Sequence, residues 1–285
     1  MSRFSQALAS GDPLVMAIVN RTPDSFYDRG ATFAEQAAFE RVEQVVAEGA
    51  DIVDIGGVRA GYGPAVDAAE EIERVSGFVA RVRAAFPGLI ISVDTWRAQV
   101  AEAVCAQGAD VINDAWGGHE PRLAEVVAAH QAGIICTHTG GLRPRTDPHR
   151  QEYVDVVAAA LAATRAYAER ALAAGVAREV IVIDPAHDFG KNTFHSLELT
   201  ARLGEMVATG WPVLVSLSNK DFVGEALGRP TAERLPGTLA ATAVAALAGA
   251  RIFRVHQVRE TRDVVDMVAC IAGRRLPHSA IRGLG

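Results

Sequence analysis

Short runs of apolar, β-branched residues recur along the chain, and most are followed by a longer segment with apolar positions three and four apart. The runs are Leu14–Asn20, Asp51–Gly56, Leu89–Asp94, Asp110–Asp114, Gly133–His138, Val180–Asp184, Pro212–Ser218 and Arg251–His256. Each has the length and composition of a β-strand. The intervening segments, Phe33–Glu48, Ala68–Ala85, Arg97–Gln107, Arg122–His130, Tyr153–Ala174 and Thr238–Ala248, are alanine-rich and predict helices. Runs such as Val180–Ile183 and Val213–Leu217 are apolar at every position rather than at alternate ones. That is the mark of strands covered on both faces, as in a parallel sheet. Gly-Ala-Asp at 49–51 and 108–110, and Gly-Ala-Arg at 249–251, sit at helix-to-strand junctions. A glycine there can take the left-handed conformation that ends a helix.

Eight strand–helix units predict a closed (β/α)8 TIM barrel, with a doubly wound open sheet as the alternative. No linker rich in Pro, Gly or Ser divides the 285 residues, so a single domain over 1–285 is expected. The longest irregular stretches, 21–32, 58–66, 139–150 and 186–193, all follow strands. They would gather on the C-terminal face of a barrel, where such folds place their function.

Composition narrows the choice. Hydrophobic residues make up 49% and charged residues 22%, enough for a large core. The net charge of -6, without a dense basic stretch, argues against a nucleic-acid partner. No apolar run reaches membrane-spanning length, and MSRFSQALASGDP reads as a lead-in to the fold rather than a signal peptide. Three scattered cysteines suit a reducing compartment, so a cytoplasmic location is expected.

Nearly every predicted strand ends in polar residues that a core would not tolerate: Asn20, Asp54, Asp94, Asn113-Asp114, His138, Asp184, Ser218-Asn219-Lys220, and Arg254 with His256. One such residue is as readily a helix cap. Convergence of all of them at one mouth points to a ligand site. Asp94, Asn113 and Asp184 offer acceptors to the NH-rich edge of a heterocycle such as a pterin, and Lys220 a donor to its carbonyl or nitrogen. Arg254 and His256 alternate on one strand and share a face. With Asn20, a hard oxygen donor acceptable to Mg2+, they suit a phosphate. His138, His187, His195 and His256 lack zinc-like spacing. Neither a dinucleotide fingerprint nor a GxSxG elbow is present. His187-Asp188 reads as an ordinary loop pair, and His119 and His149 as exposed loop residues.

The segments MAIVNRTPDSFYDRG, GADIVDIGG, ISVDTWRAQVAEAV, GADVINDAWGG, DPAHDFGKN, LSNKDFVGEALG and GTLAATAVAALAGARIFRVHQV, in that order, resemble the dihydropteroate synthases. The likeness runs from Met16 to about Val258. It implies a (β/α)8 barrel that joins 6-hydroxymethyl-7,8-dihydropterin pyrophosphate to p-aminobenzoate with Mg2+ present. By resemblance, Asp94, Asn113, Asp184 and Lys220 fall on pterin-binding positions. Asn20, Arg254 and His256 fall on metal and pyrophosphate positions, with Asn20 the metal ligand. Pairing through late helices is common in the family, so a homodimer through Leu239–Ala248 is expected.

The departures from the family pattern are concentrated. After Gly56-Gly57 the family reads ESTRPGA, and this chain reads Val58-Arg59-Ala60-Gly61-Tyr62-Gly63-Pro64. The family's SRKS is Ser218-Asn219-Lys220-Asp221, its DPGIGFGK is Asp184 to Lys191 with Ala186, His187 and Asp188 inside, and its MHM is Thr137-His138-Thr139. Arg21, Tyr27 and Arg29 are further departures in the first loop. The family's serine at position 221 starts a helix and meets the carboxylate of p-aminobenzoate. An aspartate there is expected to oppose it by about 4 kcal/mol at ~4 Å and an effective dielectric of 20, before relaxation and screening. The pattern resembles the divergent second paralogue of actinobacteria, regarded as not making dihydropteroate. It implies a paralogue that keeps pterin and pyrophosphate residues but has little or no synthase activity. The alternatives are an active synthase with unusual loops and a non-catalytic ligand-binding or scaffolding barrel.

Overall fold

The computed structural model describes residues 1–22, 34–59, 61, 65–146 and 151–282. In chain order the elements are α1 (Arg3–Ala9), β1 (Leu14–Asn20), α2 (Glu35–Ala47), β2 (Ile52–Gly56), α3 (Ala68–Ala85), β3 (Ile90–Asp94), α4 (Ala98–Ala106), β4 (Val111–Asp114), α5 (Arg122–Ala129), β5 (Gly133–Thr137), α6 (Val156–Ala173), β6 (Ile181–Asp184), α7 (Thr193–Ala201), α8 (Leu203–Val207), β7 (Leu214–Val215), α9 (Asp221–Leu227), α10 (Leu235–Ala248), β8 (Ile252–Val255) and α11 (Val258–Ile271).

All ladders are parallel, in the order β6-β5-β4-β3-β2-β1-β8-β7. A parallel bridge from Ile183 to Val213 joins the two ends. The sheet is therefore the expected barrel and not an open one. Its strands are walled by apolar residues on both sides, with Met16, Ile52, Ile91, Ile112, Ile134 and Ile181 among the largest fully buried side chains.

The predicted strand Pro212–Ser218 forms ladder pairs only at Leu214–Val215. Beyond it the chain turns sharply, with Asn219 in the left-handed region at φ 56°. Five helices lie outside the predicted set: α1, α7, α8, α9 and α11. The lead-in is itself the helix α1. Its Phe4 is fully buried, against Gly133, where a β-carbon would come within 2.6 Å of the ring. The end of α11 is legible in hindsight, since Val258, Thr261, Val265, Val268 and Ala269 are buried at helical spacing.

Register sets the site. Asn20 pairs with Gly56, Gly56 with Asp94, and Asp94 with Asn113, so four neighbouring strands end at one level. Thr137 pairs with Asp184 on the opposite side.

Candidate functional site

These strand ends open into a cavity of about 420 Å³. Asn20, Asp94, Asn113, Asp184, Lys220, Arg254 and His256 all line it. The seven residues named from sequence are thus gathered around one space rather than capping separate helices. His138 is buried outside its lining, and its carbonyl accepts from Lys191 Nζ at 3.0 Å. His119 is exposed, and His149, Tyr27, Arg29, Ala60 and Tyr62 lie outside the described residues.

The floor is organised by Asp54, which the sequence places at a strand end without a role. Its carboxylate is fully buried and accepts from Ser92 Oγ (2.6 Å), Asn113 Nδ2 (3.1 Å) and Arg254 Nε (2.6 Å). Arg254 Nη2 also donates to Asp94 Oδ2 at 3.0 Å. One guanidinium therefore ties the heterocycle residues Asp94 and Asn113 to the anion residues. Sequence reading separates these into two sets, but in the closed sheet only β1 stands between β8 and β2.

Burial dominates the chemistry of this floor. It pushes the Asp94 carboxyl up to about 7 against the pull of Arg254, and Asp184 up to about 6 although Ala186 N–H donates to it at 2.7 Å. Burial lowers Lys220, and brings Lys191 down to about 7. His256 falls to about 3 through burial and the nearby Arg254, Arg41 and Lys220, so its imidazole is neutral. Carboxyls near neutrality can donate as well as accept, and this suits a heterocycle edge that carries both kinds of group.

No group of three or more His, Cys, Asp or Glu able to hold a metal occurs among the described residues. Asn20 Oδ1 faces the end of β2, where Gly56 leaves room: a β-carbon there would sit 3.6 Å from that oxygen. A single hard oxygen beside open space fits Mg2+ only if phosphate and water supply the remaining ligands.

The outer wall differs from the floor. The loop after β6 keeps a left-handed backbone at Ala186 (φ 53°) and Asp188 (φ 65°), where the family motif carries glycine. Asp188 Oδ1 accepts from Ser196 Oγ at 2.9 Å, and its Oδ2 accepts from the backbone N–H of Phe222 in the first turn of α9 at 3.2 Å. The start of α9 thus already meets a carboxylate of the protein. Asp221, expected to repel an incoming carboxylate, pairs with Arg234 Nη1 at 2.8 Å, which weakens that effect. Asn219 is buried and donates from Nδ2 to Gln257 Oε1 at 3.2 Å, so it supplies no outward donor comparable to arginine. Arg59 lines the mouth two residues before the arginine that the family carries in the second loop. Across the cavity, Trp116 packs edge-on against Phe189 (5.1 Å between ring centroids) and Trp96 (6.2 Å) to form an apolar lip.

His187 is the residue that sequence reasoning missed. It is 1% exposed, lines the cavity, and neither ring nitrogen has a hydrogen-bond partner. Its signal was a polar residue at an apolar position of the family motif.

Residues 16–256 match the family model described as pterin binding enzyme. The chain belongs to that family. Within the pterin binding enzymes it is 57% identical over 281 residues to the inactive dihydropteroate synthase 2 of Mycobacterium leprae, covering 97% of each chain. It is 38% identical over 239 residues to the dihydropteroate synthase of Staphylococcus haemolyticus, covering 82% of this chain and 86% of that one. The crystal structure of the Yersinia pestis dihydropteroate synthase with a sulfonamide drug complex superposes with a TM-score of 0.87 at 33% identity, over 93% and 95% of the two chains. The protein is a dihydropteroate synthase-like paralogue with a TIM-barrel fold.

Proposed function

We propose that this protein binds a pterin bearing a pyrophosphate or phosphate group and has little or no dihydropteroate synthase activity. The observation that carries the reading is the split within one cavity. The floor keeps its hydrogen-bonding set, while at the wall Asp188 occupies the Phe222 N–H. Asp94, Asn113 and Asp184 take the pterin's NH-rich edge, and Lys220 donates to its ring carbonyl or nitrogen. Asn20, Arg254 and His256 hold the anion, with Arg254 positioned by Asp54. Mg2+, held by Asn20 and the phosphate oxygens, would neutralise charge as pyrophosphate departs.

Release of pyrophosphate is favoured by Arg254, whose fixed positive charge stabilises the negative charge that develops. Capture by an aromatic amine requires the amine to be held close to the electrophilic carbon. Misplacement by about 1 Å can cost 100-fold. The names of the relative at 57% identity and of the synthase at 38% support the same division.

Val244 and Leu247 of α10 and Met267 and Ile271 of α11 are exposed apolar residues on two helices packed together, and support a homodimer. Three unpaired cysteines support a cytoplasmic setting; no helix among the described residues is long and apolar enough to cross a membrane.

The test pairs calorimetry with turnover. With Mg2+, the pterin pyrophosphate should bind while dihydropteroate forms at least about 100-fold more slowly than with an authentic synthase. Comparable turnover would establish an ordinary synthase instead, and absence of pterin binding would reject the site.

A further inference from the structure

The part of the cavity between the loop after β6 and the first turn of α9 has a chemistry that neither the floor nor the anion site explains. Its wall carries the carboxylates of Asp188, Asp221 and Glu225, the ring of Phe222, and His187. Asp188 is committed to Ser196 and Phe222, Asp221 to Arg234, and Glu225 to Thr193. His187 is committed to nothing. Both its nitrogens are buried without a partner, its ring lies 5.9 Å from that of Phe222, and Thr137 Oγ1, at the end of the adjoining strand β5, is also unpartnered. A buried polar group left unsatisfied costs about 1–3 kcal/mol, so a cavity-lining histidine with both ring nitrogens unsatisfied marks a place where a ligand can supply a missing bond.

We propose that this compartment takes an uncharged aromatic amine bearing an amide or an equivalent donor–acceptor group, which hydrogen-bonds to His187, and that Asp188 excludes the corresponding carboxylate. The inference rests on the reading that a pterin occupies the floor, and it names the class of molecule beside it. Three features define that class. A neutral imidazole presents one N–H and one lone pair, so it is satisfied by a group that both accepts and donates. Burial and the neighbouring Lys191 and Lys220 bring His187 down to about 3, so it carries no positive charge to attract a carboxylate. The backbone N–H of Phe222, which would otherwise receive an anion, is taken by Asp188. A carboxylate entering here meets the charge of Asp188 and finds the Phe222 N–H already taken. An amide meets no such charge and can satisfy His187.

The experiment titrates the full-length protein by calorimetry with 4-aminobenzamide and with 4-aminobenzoate, which differ only in that group. Each is measured alone and with saturating 6-hydroxymethylpterin, pyrophosphate and Mg2+. The amide should bind at least about tenfold more tightly than the acid. His187→Ile should reduce that preference by about tenfold, the effect of one good hydrogen bond, and His187→Gln, which keeps a donor and an acceptor, should retain part of it. Asp188→Gly should raise affinity for the acid about tenfold and leave the amide within about threefold. Equal affinities, a preference for the acid, no binding of either amine, or a preference untouched in His187→Ile would each overturn the proposal. The pterin is titrated separately. If it fails to bind while the His187-dependent preference holds, the pterin reading falls alone; if it binds and the acid is preferred, this inference falls alone.

Discussion

At the N-terminal ends of the strands, Arg83 donates to the carbonyls of Gly108, Phe86, Pro87 and Leu89 and pairs with Asp110, whose Oδ2 accepts from Ile91 N–H at 2.9 Å. Two strand–helix units away the arrangement recurs: Arg262 holds Gly49, Pro13 and Asp51, and Asp51 accepts from Val15 N–H at 2.8 Å. At the C-terminal ends, the mouth contains a histidine with two unpartnered nitrogens, two carboxyls pushed towards neutrality and two lysines lowered by burial. Backbone geometry divides in the same way. The junctions Gly49, Gly108 and Gly249 take φ of 97°, 100° and 100° on glycine, with Gln131 an exception at that end, whereas the loops at the mouth hold Ala186, Asp188 and Asn219 at positive φ. One end satisfies most of its polar groups internally, with Arg251 Nη1 an exception, and mostly uses residues suited to their conformations. The other leaves bonding capacity and strain in place, as expected where a ligand completes the structure.

The largest test of this contrast is to remove one arginine from each end. Arg254→Ala leaves Asp54 and Asp94 without their cation, and breaking a buried pair in this way costs about 3–5 kcal/mol of stability. It should also weaken pyrophosphate binding by about 1.5–3 kcal/mol. Arg83→Ala should lower stability but leave pyrophosphate affinity unchanged. Urea unfolding and calorimetry on both variants decide the matter. Pyrophosphate binding that survives Arg254→Ala would remove that residue from the anion site.

How far the sequence carries the reader follows the same division. Barrel strands were legible because burial on both faces leaves uninterrupted apolar runs, and the junction glycines because a left-handed helix end demands them. The seven mouth residues were legible because charged and amide side chains at strand ends have no place in a core. Their linkage through Asp54 was not, since a contact between β2 and β8 spans 200 residues and depends on closure of the sheet. Nor was the role of Asp188. A carboxylate reaching a backbone N–H on another element leaves no local pattern, so His187-Asp188 reads as a plain loop. The short β7 and the helices α7, α8 and α9 are fixed by packing around the mouth more than by their own periodicity.

A second way to sharpen the contrast is pH. Asp94 and Asp184 are raised to about 7 and about 6, so the folded protein binds their protons where the unfolded chain does not. Their contribution to stability is complete below about pH 4 and is lost as pH rises through 6 to 7. His138, His187 and His256, lowered to about 3, work in the opposite sense: their contribution is present above about 6.5 and is lost as pH falls towards 3. Between pH 4 and 6.5 the two sets oppose each other. Asp94→Asn removes a proton from the folded side of the balance. Stability should then rise with pH more steeply than in the wild type, by up to about 1.4 kcal/mol per pH unit. Urea unfolding from pH 4.5 to 6.5 measures the slope, and an unchanged slope would mean that Asp94 is ionised throughout.

The smallest expected effect concerns the strain at the mouth. Ala186 sits at φ 53°, where a β-carbon crowds the following carbonyl and costs about 1–2 kcal/mol. Glycine removes that crowding but adds freedom to the unfolded chain, which returns part of the gain. Ala186→Gly should therefore stabilise the protein by about 0.5–1 kcal/mol, a shift of roughly 1–2 °C in Tm for a chain of this size. The same exchange at Asp188 has a different balance. Aspartate tolerates the left-handed region better than alanine, and its carboxylate bonds Ser196 and Phe222. Asp188→Gly should therefore bring no gain and should lose stability. Calorimetric melting of the two variants separates strain in the backbone from bonding by the side chain. A higher Tm for Ala186→Gly together with a lower one for Asp188→Gly would locate the stored strain at Ala186 and assign Asp188 to holding the loop against α9. Equal shifts of either sign would mean that the two positions are not distinguished by their side chains, and the account of Asp188 as the carboxylate that occupies the start of α9 would fail with them.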